Sequence, residues 1–128
     1  MPSLKFQPQF VPLVESGEKT QTIRPIRKRP IKVGDRLLLD AWQGQPYRSK
    51  VRRLGVGIVE SVRPIVIGVG RFGDEIEVAG KRLDTSERAA LSRADGFSCA
   101  TDLLDWFKQN HGLPFTGVVI RWRLLPNE

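Results

Sequence analysis

Residues 17–24 combine side chains that could perform catalysis on a bound ligand. The segment reads Gly-Glu-Lys-Thr-Gln-Thr-Ile-Arg and offers an amine, two hydroxyls and a guanidinium on Lys19, Thr20, Thr22 and Arg24. A lysine acts as a general base once its pKa falls, and a threonine becomes a nucleophile once a base takes its proton. The segment therefore predicts acid–base and nucleophilic chemistry, with a turn lysine and ordinary strand threonines as the alternative interpretation.

Positive charge is concentrated around this segment. The chain of 128 residues has a net charge of +7, and residues 1–63 carry 13 basic against 5 acidic side chains. Such asymmetry favours a polyanion such as RNA as a partner, whereas a solvated basic surface is the alternative. The basic residues that follow the segment most closely are Arg27, Lys28 and Arg29.

A second basic cluster lies beside two aromatic residues further along the chain. Arginines contact phosphates, and an aromatic ring can stack on a base. The cluster predicts a further nucleic-acid contact, with a solvated hairpin as the equal alternative. Its aromatic members are Trp42 and Tyr47, and its basic members are Arg48, Lys50, Arg52 and Arg53.

Several classes of function are disfavoured by what the sequence holds. A single cysteine, Cys99, allows no disulfide framework, so we expect a buried thiol and a reducing, cytoplasmic compartment. With His111 as the single histidine, the sequence has no pattern for a zinc site or a Ser-His-Asp triad, and we expect no metal and no cofactor. Residues 68–73 fit G-x-G-x-x-G, but residues 74–78 alternate like a strand, which disfavours a dinucleotide site. The longest apolar run is too short to cross a bilayer, and we expect no secretion signal and no membrane partner.

The elements that must position these residues are mostly strands. A chain of this length predicts one domain over residues 1–128, and the scarcity of strand–helix alternation favours an α+β fold over a doubly wound sheet. Glycine-rich strands with a late return strand suggest a small barrel. The predicted strands cover residues 3–6, 19–24, 36–42, 50–62, 65–69, 75–78, 81–83 and 115–124, with Pro64 interrupting the long one and a loop over 25–33.

Three short helices complete the predicted fold. The first covers residues 8–16 and ends at Gly17. The second begins at Asp84, which has capping-box spacing to Glu87, and Ser98 can cap the third. Because Lys19 and Thr22 are three residues apart, they would face opposite sides of a regular strand. Lys19 must therefore lie in the turn after Gly17, or the strand must twist there.

Four segments in order resemble the ASCH family of the PUA-like superfamily. Residues 17–24 are similar to the family signature Gly-x-Lys-Thr-x-Thr-x-Arg, and Val-Gly-Asp at 33–35 is similar to its next landmark. Asp-Gly-Phe at 95–97 resembles its Glu-Gly-Phe segment, and residues 114–122 resemble its closing strand. The resemblance covers nearly the whole chain and implies a small, mostly antiparallel PUA-like β-barrel flanked by two or three short helices.

The resemblance also implies an activity. Small bacterial members include N4-acetylcytidine amidohydrolases, which implies Lys19 as general base, Thr22 as nucleophile and Asp95 as proton donor. Asp95 departs from the glutamate of the family and is one methylene shorter. Other members are RNA-binding modules or a ribonuclease, so the expected ligand is RNA or a modified nucleoside. The alternatives to an amidohydrolase are a non-catalytic RNA-binding module and a ribonuclease; the sequence leaves the oligomeric state open.

Overall fold

The computed structural model describes residues 1–45 and 47–126, which form an α+β fold with a mixed sheet of seven strands and three α-helices. A 3-10 turn at Pro8–Phe10 precedes the first helix. The strands are β1 (Ser3–Phe6), β2 (Gln21–Arg24), β3 (Arg36–Trp42), β4 (Val51–Val69), β5 (Glu75–Val78), β6 (Lys81–Arg82) and β7 (Phe115–Leu124). The helices are α1 (Val11–Ser16), α2 (Thr85–Ala94) and α3 (Ala100–Asn110).

Strand β4 is the centre of the sheet. Its first part pairs antiparallel with β3, and its later part pairs antiparallel with β7 on one side and β5 on the other. Strand β1 adds to β3 in parallel, β6 adds to β5, and β2 adds to β7. The sheet is therefore mostly antiparallel with one parallel pair.

The sheet of described strands does not close into the expected barrel. No ladder among these strands joins β1 to β2, and β2 ends after four residues, before Pro25. A side chain bridges the two strands instead: Arg24 Nη2 donates a hydrogen bond of 2.7 Å to the carbonyl oxygen of Lys5. The opening between β1 and β2 is where the candidate site lies.

Three local predictions are wrong. Strand β4 runs through Pro64, whose carbonyl accepts a hydrogen bond from the N–H of Ala79 and which pairs with Val118 in the ladder to β7. Ser98 does not cap α3, because the N-cap is Cys99, which makes no side-chain capping bond. Cys99 is consequently exposed at the helix start rather than buried.

The predicted start of α2 and end of α1 are confirmed. Asp84 Oδ1 accepts from the N–H of Glu87 at 2.7 Å, and Glu87 Oε1 accepts from the N–H of Asp84 at 3.1 Å, which completes a capping box. Gly17 ends α1 with a φ of 82°, and Gly96 follows α2 with a φ of 98°. Both glycines adopt the left-handed backbone that terminates helices.

Two apolar clusters fill the interior on either side of the opening. One packs β1, α1 and β3 against β4 and β7, and the other packs α2 and α3 against β4, β5 and β7. Phe97, just after α2, contacts both clusters. Among the described residues, no helix is long and apolar enough to span a membrane.

Gly117 lies where β7 packs directly against the backbone of β2. A Cβ atom at this position would collide with the carbonyl oxygen of Arg24. We expect Gly117→Ala to destabilise the protein by about 1–3 kcal/mol, as overpacking does, measured from the urea midpoint. Thr116→Ala, at an exposed neighbour on the same strand, should stay within about 0.5 kcal/mol of the wild type. Equal stability of both variants would contradict this packing.

Candidate active site

Lys19 lies in the turn between α1 and β2, with its side chain directed into the protein. Its backbone N–H donates to the carbonyl oxygen of Leu13 at 2.9 Å, which fixes the turn after Gly17. The residue is 2% exposed. Because Lys19 precedes β2 rather than belonging to it, strand alternation does not separate it from Thr22, and both residues line one cavity.

The amine of Lys19 meets the C-terminus of α2. Its Nζ donates to the carbonyl oxygen of Asp95 at 2.5 Å and lies 3.4 Å from Asp95 Oδ1. Asp95 is the C-cap residue and is 4% exposed. The last carbonyls of a helix lack helical partners and form its negative end, so an ammonium is stabilised there. Asp95 lines the same cavity as Lys19, although its side chain is one methylene shorter than the glutamate that the resemblance implies.

Gln21 holds the carboxylate of Asp95 from the other side. Its Nε2 lies 3.3 Å from Asp95 Oδ1 and 3.3 Å from the carbonyl oxygen of Leu91, in the last turn of α2. Nothing in the sequence marks Gln21 as a site residue, because a polar residue in a short strand is common and its partners lie 70 or more positions away. Through these two contacts Gln21 positions the Asp95 carboxylate at the end of α2.

Thr22 and Arg24 form the opposite edge of the cavity. Arg24 Nε donates to Thr22 Oγ1 at 3.1 Å, and the Arg24 guanidinium carbon lies 4.9 Å from the centre of the Phe6 ring. The guanidinium is thus fixed by Thr22, by Phe6 and by the backbone of Lys5. Among the described residues no hydrogen bond joins Lys19 to Thr22, so proton transfer between them requires either a bridging water molecule or movement of the Lys19 amine from Asp95 towards the hydroxyl.

Burial perturbs both members of the Lys19–Asp95 pair. Desolvation lowers the pKa of Lys19 from 10.5 to about 8, against the opposing charge of Asp95, and the charge of Arg24 lowers it further. Burial likewise raises the pKa of Asp95, against the opposing charge of Lys19 and the hydrogen bond from Gln21. Burial thus narrows the energy gap between the ion pair and the neutral pair, which suits groups that exchange a proton.

Aromatic rings form the wall of the cavity. The cavity has a volume of about 170 Å³ and combines this wall with polar side chains that include Lys19, Thr22, Arg24 and Asp95. Pockets for drug-sized ligands measure roughly 300–1,000 Å³, so this one suits a single substituted ring. A flat polar heterocycle would find stacking surfaces and hydrogen-bond donors together. The aromatic residues are Phe6, Phe10, Phe97, Trp106 and Phe107, with His111 beside them.

Part of the predicted basic surface adjoins the cavity. Arg27 and Tyr47 line a groove of about 440 Å³ that shares Lys5, Arg24 and Pro25 with the cavity. Lys28 and Arg29 line a separate depression that also contacts Arg27. Thr20 is half-buried and absent from the cavity wall, and its carbonyl oxygen accepts from the N–H of Trp122.

The second basic cluster does not reach the cavity. Arg52 makes a two-pronged ion pair with Glu15 at 2.7 and 2.8 Å, and Arg53 Nε lies 2.5 Å from Asp40 Oδ1. Arg48 and Lys50 are exposed. Nucleic-acid binding by these four residues stays a prediction. In the described part of the chain, no three His, Cys, Asp or Glu side chains are grouped so that they could hold a metal ion.

Comparison of the chain with protein-family models, with curated proteins and with solved structures finds no match.

A double-mutant cycle tests the buried pair. Lys19→Met and Asp95→Asn should each destabilise the protein by about 3 kcal/mol, because removing one partner leaves a buried charge uncompensated. The double variant should lose clearly less than the sum of the two, measured by urea denaturation at pH 7.

The exposed pair Arg52–Glu15 is the matched control. Solvent and salt screen this pair, so the cycle of Arg52→Met and Glu15→Gln should show a much smaller coupling. Additive effects of Lys19→Met and Asp95→Asn would show that the two side chains do not interact.

Proposed function

We propose that this protein is an amidohydrolase that removes the acyl group from an N4-acylated cytosine, as N4-acetylcytidine amidohydrolases do. The observation that carries the proposal is the meeting of Lys19, Thr22, Arg24 and Asp95 in one cavity with an aromatic wall. These four residues come from two segments of the chain some 70 residues apart in sequence. A base, a hydroxyl, a cation and a carboxyl group beside stacking surfaces supply each group that hydrolysis of an amide on a nucleobase needs.

The first half of the proposed reaction transfers the acyl group to the protein. The neutral amine of Lys19 takes the proton of the Thr22 hydroxyl while Thr22 Oγ1 attacks the carbonyl carbon of the amide. The C–N bond then breaks, and the proton passes from Lys19, through the carboxyl group of Asp95, to N4 of the departing cytosine. One proton leaves the hydroxyl and one reaches the amine, so the step balances.

The second half releases the acid. A water molecule gives one proton to Lys19 and attacks the ester carbon on Thr22, and the proton returns to Thr22 Oγ1 as the ester bond breaks. The guanidinium of Arg24, already bonded to Thr22 Oγ1, is placed to stabilise negative charge as it develops on the neighbouring carbonyl oxygen. Amide and water are thereby converted into amine and carboxylic acid.

Membership of the ASCH family belongs to the same proposal. The α+β fold, the helix ends beside Lys19 and Asp95, and the order of the four sequence segments support it. The sheet would then be a PUA-like barrel left open between β1 and β2. A free cysteine and a reducing, cytoplasmic setting are part of this proposal as well.

Two alternatives keep specific support. The exposed residues Arg27, Lys28 and Arg29 favour an RNA-binding module without catalysis. A ribonuclease would use the same cavity, where His111 is the single imidazole among the residues that line it. Cleavage of RNA without release of cytidine from N4-acetylcytidine would favour the ribonuclease, and binding of RNA with neither reaction would favour the module.

Turnover of N4-acetylcytidine tests the proposal. We expect the wild-type protein to release cytidine and acetate, which chromatography measures. Lys19→Met should lose at least about 100-fold in kcat/KM, because the general base is removed. Thr22→Val should lose activity equally, since it keeps the shape of the side chain and removes the nucleophile.

Matched controls separate catalysis from folding. Lys108→Met and Thr116→Val change exposed residues outside the cavity and should keep full activity. Circular dichroism should show that all four variants fold. The proposal is refuted if micromolar wild-type protein releases no cytidine over hours.

A further inference from the structure

A basic, aromatic groove continues from the mouth of the cavity along β1 and β3. Lys5, Arg24 and Pro25 line both, so the cavity and the groove adjoin at these residues. The groove holds about 440 Å³, compared with about 170 Å³ for the cavity. The larger space is unused by the proposed reaction, which requires only the base and its acyl group.

Tyr47 presents an aromatic surface in this groove. The residue is 89% exposed, and its ring packs against Trp42 with 5.2 Å between ring centres. Lys5 Nζ lies 5.3 Å from the centre of the Trp42 ring. Trp42 is thus held by Tyr47 and Lys5, while most of the Tyr47 ring meets solvent. A ring supported in this way can stack on a planar group with little loss of side-chain freedom.

The charges beside this platform favour an anion. Lys5, Arg24 and Arg27 line the groove with Ser3, and no carboxylate of residues 1–45 and 47–126 does. Asp40 lies opposite Lys5 in the β1–β3 ladder, accepts a 2.6 Å hydrogen bond from Ser3 Oγ and pairs with Arg53. Lys5 Nζ in turn donates to Ser3 Oγ at 3.3 Å, so Asp40 offsets part of the Lys5 charge, and Arg24 and Arg27 supply the rest of the positive charge in the groove. Cations between a cavity and an aromatic platform are the arrangement that a phosphate between two nucleosides requires.

We propose that the substrate is a single-stranded oligonucleotide rather than a free nucleoside. The modified cytosine occupies the cavity, the adjoining phosphate contacts Lys5 and Arg27, and the neighbouring base stacks on Tyr47. This inference depends on the proposed function for the identity of the base in the cavity. The second subsite itself depends on the groove alone.

Kinetics with matched substrates test the second subsite. The substrates are N4-acetylcytidine, its 5′-monophosphate, and a trinucleotide with N4-acetylcytidine in the middle. We expect kcat/KM for the trinucleotide to exceed that for the nucleoside at least about fivefold, mainly through a lower KM, since stacking of one base contributes roughly 5- to 150-fold. Tyr47→Ala and Arg27→Ala should each reduce this preference severalfold.

The loop at Arg71 and Phe72 provides the control. It also carries an exposed aromatic ring beside an arginine, 5.7 Å apart, but lies outside the cavity and groove. Phe72→Ala and Arg71→Ala should keep the full preference for the trinucleotide. A preference that the monophosphate reproduces completely would overturn the stacking role of Tyr47. Equal kcat/KM for nucleoside and trinucleotide would overturn the subsite.

A binding measurement distinguishes failure of the subsite from failure of the reaction. Fluorescence anisotropy with an unmodified five-nucleotide RNA requires no catalysis, so the groove variants can also be measured in protein that carries Lys19→Met. Weaker binding by Tyr47→Ala and Arg27→Ala than by the Phe72→Ala and Arg71→Ala controls supports the groove even if none of the three substrates is hydrolysed. Equal affinity of all four variants overturns it.

Discussion

The contact between Lys19 and Asp95 is the interaction on which the site depends. An ammonium group is costly to bury unless hydrogen-bond acceptors and opposite charge surround it. The chain supplies both at the end of α2, with a backbone carbonyl, a carboxylate and the supporting amide of Gln21. These bonds fasten β2 to α2 and thereby place Phe97, which follows α2, against the aromatic wall. Burial of the Lys19 amine in this contact also lowers its pKa.

The open edge between β1 and β2 makes the cavity accessible. A closed ladder would have filled this place with backbone hydrogen bonds, whereas the side chain of Arg24 spans it with one. The span leaves the guanidinium facing the cavity on one side and the groove on the other. Arg24 thus links β2 to β1 and, in the proposed reaction, contacts the ligand.

Local signals predict the parts of this fold whose cause lies within a few residues. The capping box at Asp84, the glycine that ends α1 and the alternation of β7 are such parts. The strand predicted over residues 19–24 begins two residues too early, and the turn at Lys19 is one of the two arrangements that strand alternation leaves open. The passage of β4 through Pro64 could not be predicted, because its support comes from Ala79 and β7. Gln21 and the open edge likewise depend on partners distant in sequence. The convergence of Lys19 with Asp95 follows from the resemblance and not from spacing.

A titration of Lys19 by NMR tests the central claim most directly, since a base that works near neutrality must lose its proton there. Carbon-13 labelling of the lysine Cε atoms gives one signal per lysine, and the signal absent from Lys19→Met identifies Lys19. We expect a pKa of about 8, so that the neutral amine becomes the main form as the pH rises above that value. Asp95→Asn should lower the pKa further, because the carboxylate opposes the effect of burial. A Lys19 pKa near 10.5 in the wild type would contradict the account.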